Sequence, residues 1–213
     1  MFCGRVLADN NSVCNDCLDS VKYISGDTCE RCGVEKEYCN CKVGDFAFKR
    51  NIGAFYYAGG VKKMITRLKY YDIPQVADDM SDFMAERVDV KYKDVTFDFV
   101  TYVPTSPLKS ARYGYDRTYL IAKKISEKTK IPLVRALRKK LFAFDQKYRT
   151  AKQRRENVKG KFKPVMQLKG KNILLVDDVM TTGSTLSECA RVLKRMGAKQ
   201  VFCVTFAITL KNN

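Results

Sequence analysis

Apolar positions along this chain fall into a repeating order of short buried runs and amphipathic stretches. Ile52 to Tyr57 reads as a strand. Gly59-Gly60 then precedes a helix with Val61, Met64, Ile65 and Leu68 on one face. Pro74 opens another, with Val76, Ala77, Met80, Phe83 and Met84 facing inward. Phe97 to Val103 reads as a strand that ends at Pro104, and a helix follows from about Arg117 to Lys128. Ile173 to Val176 is a continuous apolar run, the pattern of a buried parallel strand. Leu186, Cys189, Ala190 and Leu193 fall at helical spacing after it, and Gly197 is a plausible stop. Val201 to Ile208 closes the chain as a strand. Strands alternating with helices predict an α/β fold with a doubly wound parallel sheet.

The run from Ile173 leads into Asp177-Asp178-Val179-Met180-Thr181-Thr182-Gly183-Ser184-Thr185. A strand, a loop of small residues and a helix N-terminus make an anion site, because backbone N–H groups point outward and the helix dipole favours negative charge. The hydroxyls of Thr181, Thr182, Ser184 and Thr185 add donors for a phosphate monoester. Two carboxylates repel phosphate, so Asp177 and Asp178 suit a neighbouring polyol instead. A phosphate beside a diol describes ribose 5-phosphate.

This stretch resembles the phosphoribosyl-pyrophosphate (PRPP) loop of type I phosphoribosyltransferases. The resemblance implies that Asp177 and Asp178 bind the ribose hydroxyls and that the residues from Met180 to Thr185 hold the 5-phosphate. It implies Mg²⁺ bound with PRPP. It also implies a short pyrophosphate loop within Val103-Pro104-Thr105-Ser106-Pro107-Leu108-Lys109, where a strand ends and open α/β sheets bind ligands. Lys69, Thr105, Ser106, Arg112, Arg154 and Arg155 are the candidate pyrophosphate partners. No residue stands out as a chemical catalyst.

Cysteine usage adds a second feature. Seven of the nine cysteines lie in the first 41 residues. Outside an oxidising compartment such spacings read as metal sites rather than disulfides. Cys29, Cys32, Cys39 and Cys41 supply the four thiolates of a tetrahedral structural zinc site. Cys3, Cys14 and Cys17 form a second set, one ligand short. Cys3-Gly4 matches the second half of a Cys-x-x-Cys-Gly knuckle, so the missing cysteine is expected just before Met1. Cys189 and Cys203 sit in apolar stretches and read as core. The expected division is a cysteine-rich ribbon over residues 1–45 and a phosphoribosyltransferase-like domain over 46–213.

Charge and composition narrow the partners. The formal net charge is +17. Arg138 to Lys163 holds eleven Lys/Arg against two acids, which predicts attraction to polyanions. Within it, Gln146 to Val158 suits a mobile lid over pyrophosphate. The chain has no histidine, which excludes a Ser-His-Asp triad and every His-dependent zinc site. No apolar run approaches the roughly 20 residues that span a bilayer, and no apolar signal core follows Met1, so a cytoplasmic protein without membrane insertion is expected.

Taken with Ile65-Thr66-Arg67-Leu68-Lys69-Tyr70, Gly114-Tyr115-Asp116 and Arg154 to Gly160, these motifs resemble the ComF family of competence proteins nearly end to end. That family joins a zinc ribbon to a phosphoribosyltransferase domain. Tyr113 and Asp116-Arg117 depart from its usual pattern around Gly114. The resemblance implies two functions of different class. One is phosphoribosyl transfer from PRPP to an unknown acceptor. The other is handling of single-stranded DNA during natural transformation, beside a DNA-uptake helicase, with PRPP as a regulatory ligand.

Overall fold

The computed structural model describes residues 15–42, 46–70, 75–140 and 158–210. Four parallel strands form the central sheet in the order β1-β6-β5-β2. They are β1 (Arg50–Tyr56), β2 (Phe99–Tyr102), β5 (Asn172–Met180) and β6 (Gln200–Ile208). Beyond β2, the Val134 N–H donates to Val100 and the Val100 N–H to Pro132, so residues 132–134 line the outer edge. The Arg138↔Lys163 pair belongs to a separate antiparallel hairpin, β3 (Leu137–Lys139) with β4 (Phe162–Pro164). Sequence periodicity misses this hairpin, because three-residue strands are too short to show a period.

Alternation along β5 sorts the core into two layers, since successive strand residues point to opposite faces. Leu174 and Val176 face α2 (Gly59–Tyr70), α3 (Gln75–Lys91) and α5 (Arg117–Thr129). Ile173 and Leu175 face α6 (Ser184–Arg195), the β3–β4 hairpin and the cysteine-rich segment. Helices on both faces confirm the doubly wound arrangement. All five inward positions expected on α3 pack in the first layer. Cys189 and Cys203 are buried in the second, and burial pushes both thiols well up.

Three boundaries differ from the sequence reading. The strand expected over Phe97–Val103 is only Phe99–Tyr102, because Phe97 turns into an aromatic cluster with Tyr92 and Phe202. The Val103–Lys109 stretch is a loop only as far as Ser106, which stands at the N-cap of a short helix, α4 (Pro107–Tyr113), with Pro107 in its first turn. Most important for the site, β5 does not stop at the acids. It runs on through Asp177 and Asp178 to Met180, because β6 keeps pairing with it as far as Ile208.

The cysteine-rich segment lies along β1. A short helix, α1 (Asn15–Ser20), leads into it. The Ile24 N–H donates to Ala54, the Tyr56 N–H to Lys22 and the Asn51 N–H to Arg31. Buried Asn51 also donates from Nδ2 to the Cys32 carbonyl at 3.1 Å. Gly33 sits at φ +79 over the Asn51 carbonyl, where a Cβ would come within 2.5 Å of oxygen, so a side chain there would push the ribbon off the sheet.

Candidate ribose-phosphate site and metal centre

The site forms where one strand outlasts its neighbour. Register pairs Tyr102 with Val176, the last rung between β2 and β5. The Val103 N–H then donates to the Val176 carbonyl, and β2 turns away at Pro104. From Asp177 onward no described strand pairs with the β2 side of β5, while its other side stays paired with β6. A cleft of about 360 Å³ opens there, with Asp177, Asp178, Val179, Lys69, Thr105 and Thr185 among its walls. Ser106, Arg117 and Lys139 line it too.

The two acids differ in environment. Asp177 is buried, and its Oδ1 accepts from the Asp178 N–H at 2.9 Å. Burial, and then the Asp178 charge beside it, push its carboxyl well above the ordinary range. Asp178 is more open and pairs with the Lys69 ammonium at 2.6 Å. Burial works against the charge on Lys69, but Asp178 and then Asp177 outweigh it and raise its pKa. Lys69 thus offsets part of the charge of the two acids.

At the end of β5 the chain turns through Thr181 and Thr182 into α6. Thr182 Oγ1 and Ser184 Oγ lie 2.8 Å apart, and the Ser184 N–H approaches Thr182 Oγ1 at 3.4 Å. Gly183 caps the helix in the left-handed region. Its carbonyl accepts the first helical bond from the Ser187 N–H. Thr181 is exposed and Thr185 faces the cleft. Met180 is the exception among the expected loop residues, for its side chain is buried in the second core layer.

Two positioning residues escaped the sequence reading. The Asp116 carboxylate accepts from the Thr105 N–H at 2.8 Å and from the Thr118 and Tyr119 N–H groups at the start of α5. It thus locks the Thr105 turn to a helix N-terminus. Arg117 donates to the Lys69 carbonyl, holding the end of α2 against the cleft. An acid directly before an amphipathic helix is an N-cap signature that the sequence did carry. The Arg117 contact spans two distant elements and has no local signal. The Arg112 side chain, Arg154 and Arg155 lie outside the described residues, as do Gln146 to Asn157 of the expected lid.

Beyond Thr105 the cleft continues into a groove of about 1000 Å³. Arg135, Arg138, Lys139, Lys140 and Lys163 line it, with Tyr115 and Tyr119. Cations beside aromatic rings suit an anion that carries flat groups.

In the ribbon, the sulfurs of Cys29, Cys32, Cys39 and Cys41 lie within 4.8 Å of one another. Neighbouring sulfurs approach to 3.3–3.5 Å. Burial would raise the Cys29 thiol, but backbone N–H groups of Cys32 and Arg31 and the adjoining thiols bring it down to about 7. Burial pushes Cys41 up to about 12. Four cysteine sulfurs this close are a ligand set that a divalent cation would complete by displacing protons. Cys3 and Cys14 lie outside the described residues. Cys17 is buried against the first core layer and is not part of this cluster.

The phosphoribosyl transferase domain family matches residues 116–213, which hold the whole Asp177–Thr185 motif. Competence protein F of Haemophilus influenzae is 25% identical over 210 residues, 93% of this chain and 91% of that protein. Competence protein ComFC of Bacillus subtilis is 24% identical over 202 residues, 90% of this chain and 82% of that one. The chain is thus similar, along about nine-tenths of its length, to ComF-type competence proteins. Among solved structures, the glutamine PRPP amidotransferase of B. subtilis, complexed with ADP and GMP, matches 66% of this chain and 30% of its own, at 21% identity and a TM-score of 0.43. The chain carries a phosphoribosyltransferase-type α/β fold with a four-cysteine cluster near its N-terminus. Among the described residues no helix is long and apolar enough to cross a membrane.

Proposed function

We propose that the cleft binds PRPP or a related ribose 5-phosphate. The observation that carries this reading is the cleft at the end of β5 beyond its pairing with β2, which presents Asp177 and Asp178 beside the hydroxyl-rich N-terminus of α6. Thr182, Ser184 and the first amides of α6 would receive the 5-phosphate. The acids would accept hydrogen bonds from the ribose hydroxyls, with Lys69 offsetting their charge. Thr105, held by Asp116, and Ser106 would face the pyrophosphate. Mg²⁺ bound with PRPP would offset the negative charge of its pyrophosphate. A transferase of this design acts by positioning and by stabilising charge on the leaving group. Zn²⁺ held by Cys29, Cys32, Cys39 and Cys41 is structural, since four thiolates leave no open position. The free thiols suit a reducing compartment such as the cytoplasm.

The deciding experiment is calorimetry with PRPP and Mg²⁺. Thr182→Ala should weaken binding, and Thr182→Asp should weaken it more by placing a like charge where phosphate belongs. Equal affinity for wild type and Thr182→Asp would remove the phosphate cradle from this loop. Pyrophosphate release across candidate acceptors then separates turnover from binding alone.

The groove beside Thr105 favours a second reading, a module that handles single-stranded DNA in DNA uptake beside a helicase partner. Its five cations and three tyrosines, Tyr102, Tyr115 and Tyr119, would supply phosphate contacts and stacking platforms. Both readings can hold in one molecule, with PRPP as a regulatory ligand of the DNA-bound form.

A further inference from the structure

The four-cysteine cluster and the turn after β5 are far apart in sequence, yet one side chain joins them. Phe46 follows Cys41 closely along the chain. Its ring lies over Gly183, so near that a Cβ on that glycine would come within 2.5 Å of ring carbon Cε1. The next residue secures the same turn, for the Ala47 N–H donates to Ser187 Oγ at 3.0 Å. The Phe46 ring stacks on Phe48 with centroids 4.7 Å apart and planes at 14°, and Phe48 is buried in the second core layer. On its ribbon side, Phe46 shares a cavity of about 40 Å³ with Cys32, Cys41 and Met180.

We propose that Phe46 is a positioning residue of the phosphate turn, and that through it a metal at Cys29, Cys32, Cys39 and Cys41 controls how tightly that turn holds a phosphate. The proposal rests on the reading of the turn as the phosphate site. Its physical basis is the left-handed Gly183, at φ +73. That conformation sets the direction in which the first amides of α6 point. A glycine held only by its own torsions is soft, because it populates many conformations. A flat ring on its Cα, anchored by Phe48 behind it and by the ribbon beside it, removes that freedom. Without metal the four thiols are joined only by weak sulfur contacts, so the ribbon wall of the small cavity loosens. Phe46 then loses its backing, and Gly183 with it.

Four proteins test this: wild type, Phe46→Ala, Cys39→Ser/Cys41→Ser, and the combination. Each is assayed for zinc content, for hydrogen exchange of the amides from Thr181 to Ser187, and for PRPP affinity by calorimetry with Mg²⁺. Phe46→Ala should keep its zinc, exchange faster at the turn, and bind PRPP about fivefold or more weakly, the low end of ordinary coupling between sites. The cysteine pair should lose zinc and show the same two changes. The combination should be no worse than either alone, because both act through one contact. Phe46→Leu, which refills the space, should recover much of the loss. Additive losses, or unchanged exchange in zinc-replete Phe46→Ala, would overturn the proposal. If the cysteine variant fails to fold, the Phe46 variants still decide. If wild type fails to bind PRPP, the ribose-phosphate reading falls, while the exchange measurements still judge the coupling.

Discussion

Asp177 shows how one residue carries opposed demands. Function asks for a charged acceptor, whereas its buried place beside Asp178 raises its pKa. A carboxyl whose folded pKa is raised favours the folded state below its ordinary value of 3.8, and that advantage is lost as pH rises through the folded pKa. Asp177→Asn keeps an oxygen for the Asp178 N–H without the charge. It should therefore stabilise the ligand-free protein at neutral pH, by about 1 kcal/mol or more, while abolishing PRPP binding. Urea unfolding from pH 4 to 8 checks this: the variant should lose less stability than wild type across that range. A variant less stable than wild type at pH 7 would mean that the Asp177 charge is fully compensated by Lys69.

At the scale of elements, the site is held by the places where elements begin and end. Gly183 caps α6 where a side chain would both strain the left-handed backbone and strike Phe46. Gly183→Ala should cost about 1–3 kcal/mol, a range set by backbone strain and overpacking. Asp116 caps α5 and pins Thr105 at once. Asp116→Ala should destabilise by about 1–2 kcal/mol through the lost cap. It should also weaken PRPP binding, whereas Asp116→Asn retains the acceptor and should lose less of both. Thermal unfolding beside calorimetry separates the effects, and a pure stability loss would limit Asp116 to capping.

For the whole molecule, the ribbon and the sheet share one core layer. Cys29→Ser/Cys32→Ser should lose zinc and lower the melting temperature of the entire protein, since β1 is bonded to the ribbon along its length. Undiminished zinc content in that variant would sink the metal assignment. The charge of +17 acts at this scale too. Neutralising Arg135, Arg138, Lys140 and Lys163 together should weaken single-stranded DNA binding and flatten its dependence on salt, as phosphate contacts are lost. An unchanged salt slope would move the DNA surface off this groove.

Much of this protein is written locally. The apolar runs predict all four strands of the sheet, and helical spacing predicts α2, α3, α5 and α6, because burial periodicity depends only on nearby residues. The Asp177–Thr185 motif and the cysteine spacing are equally local, since each site is built within about a dozen residues. Tertiary structure decided what depends on register and on meeting. Only the pairing of β5 beyond the end of β2 makes the acids the wall of a cleft. Only packing brings Lys69 to Asp178, Arg117 to the end of α2, and Phe46 onto Gly183. These contacts join residues scores of positions apart, and no periodicity or motif records them. Their partners are chosen by how the layers stack, which the chain sets only when it folds as a whole.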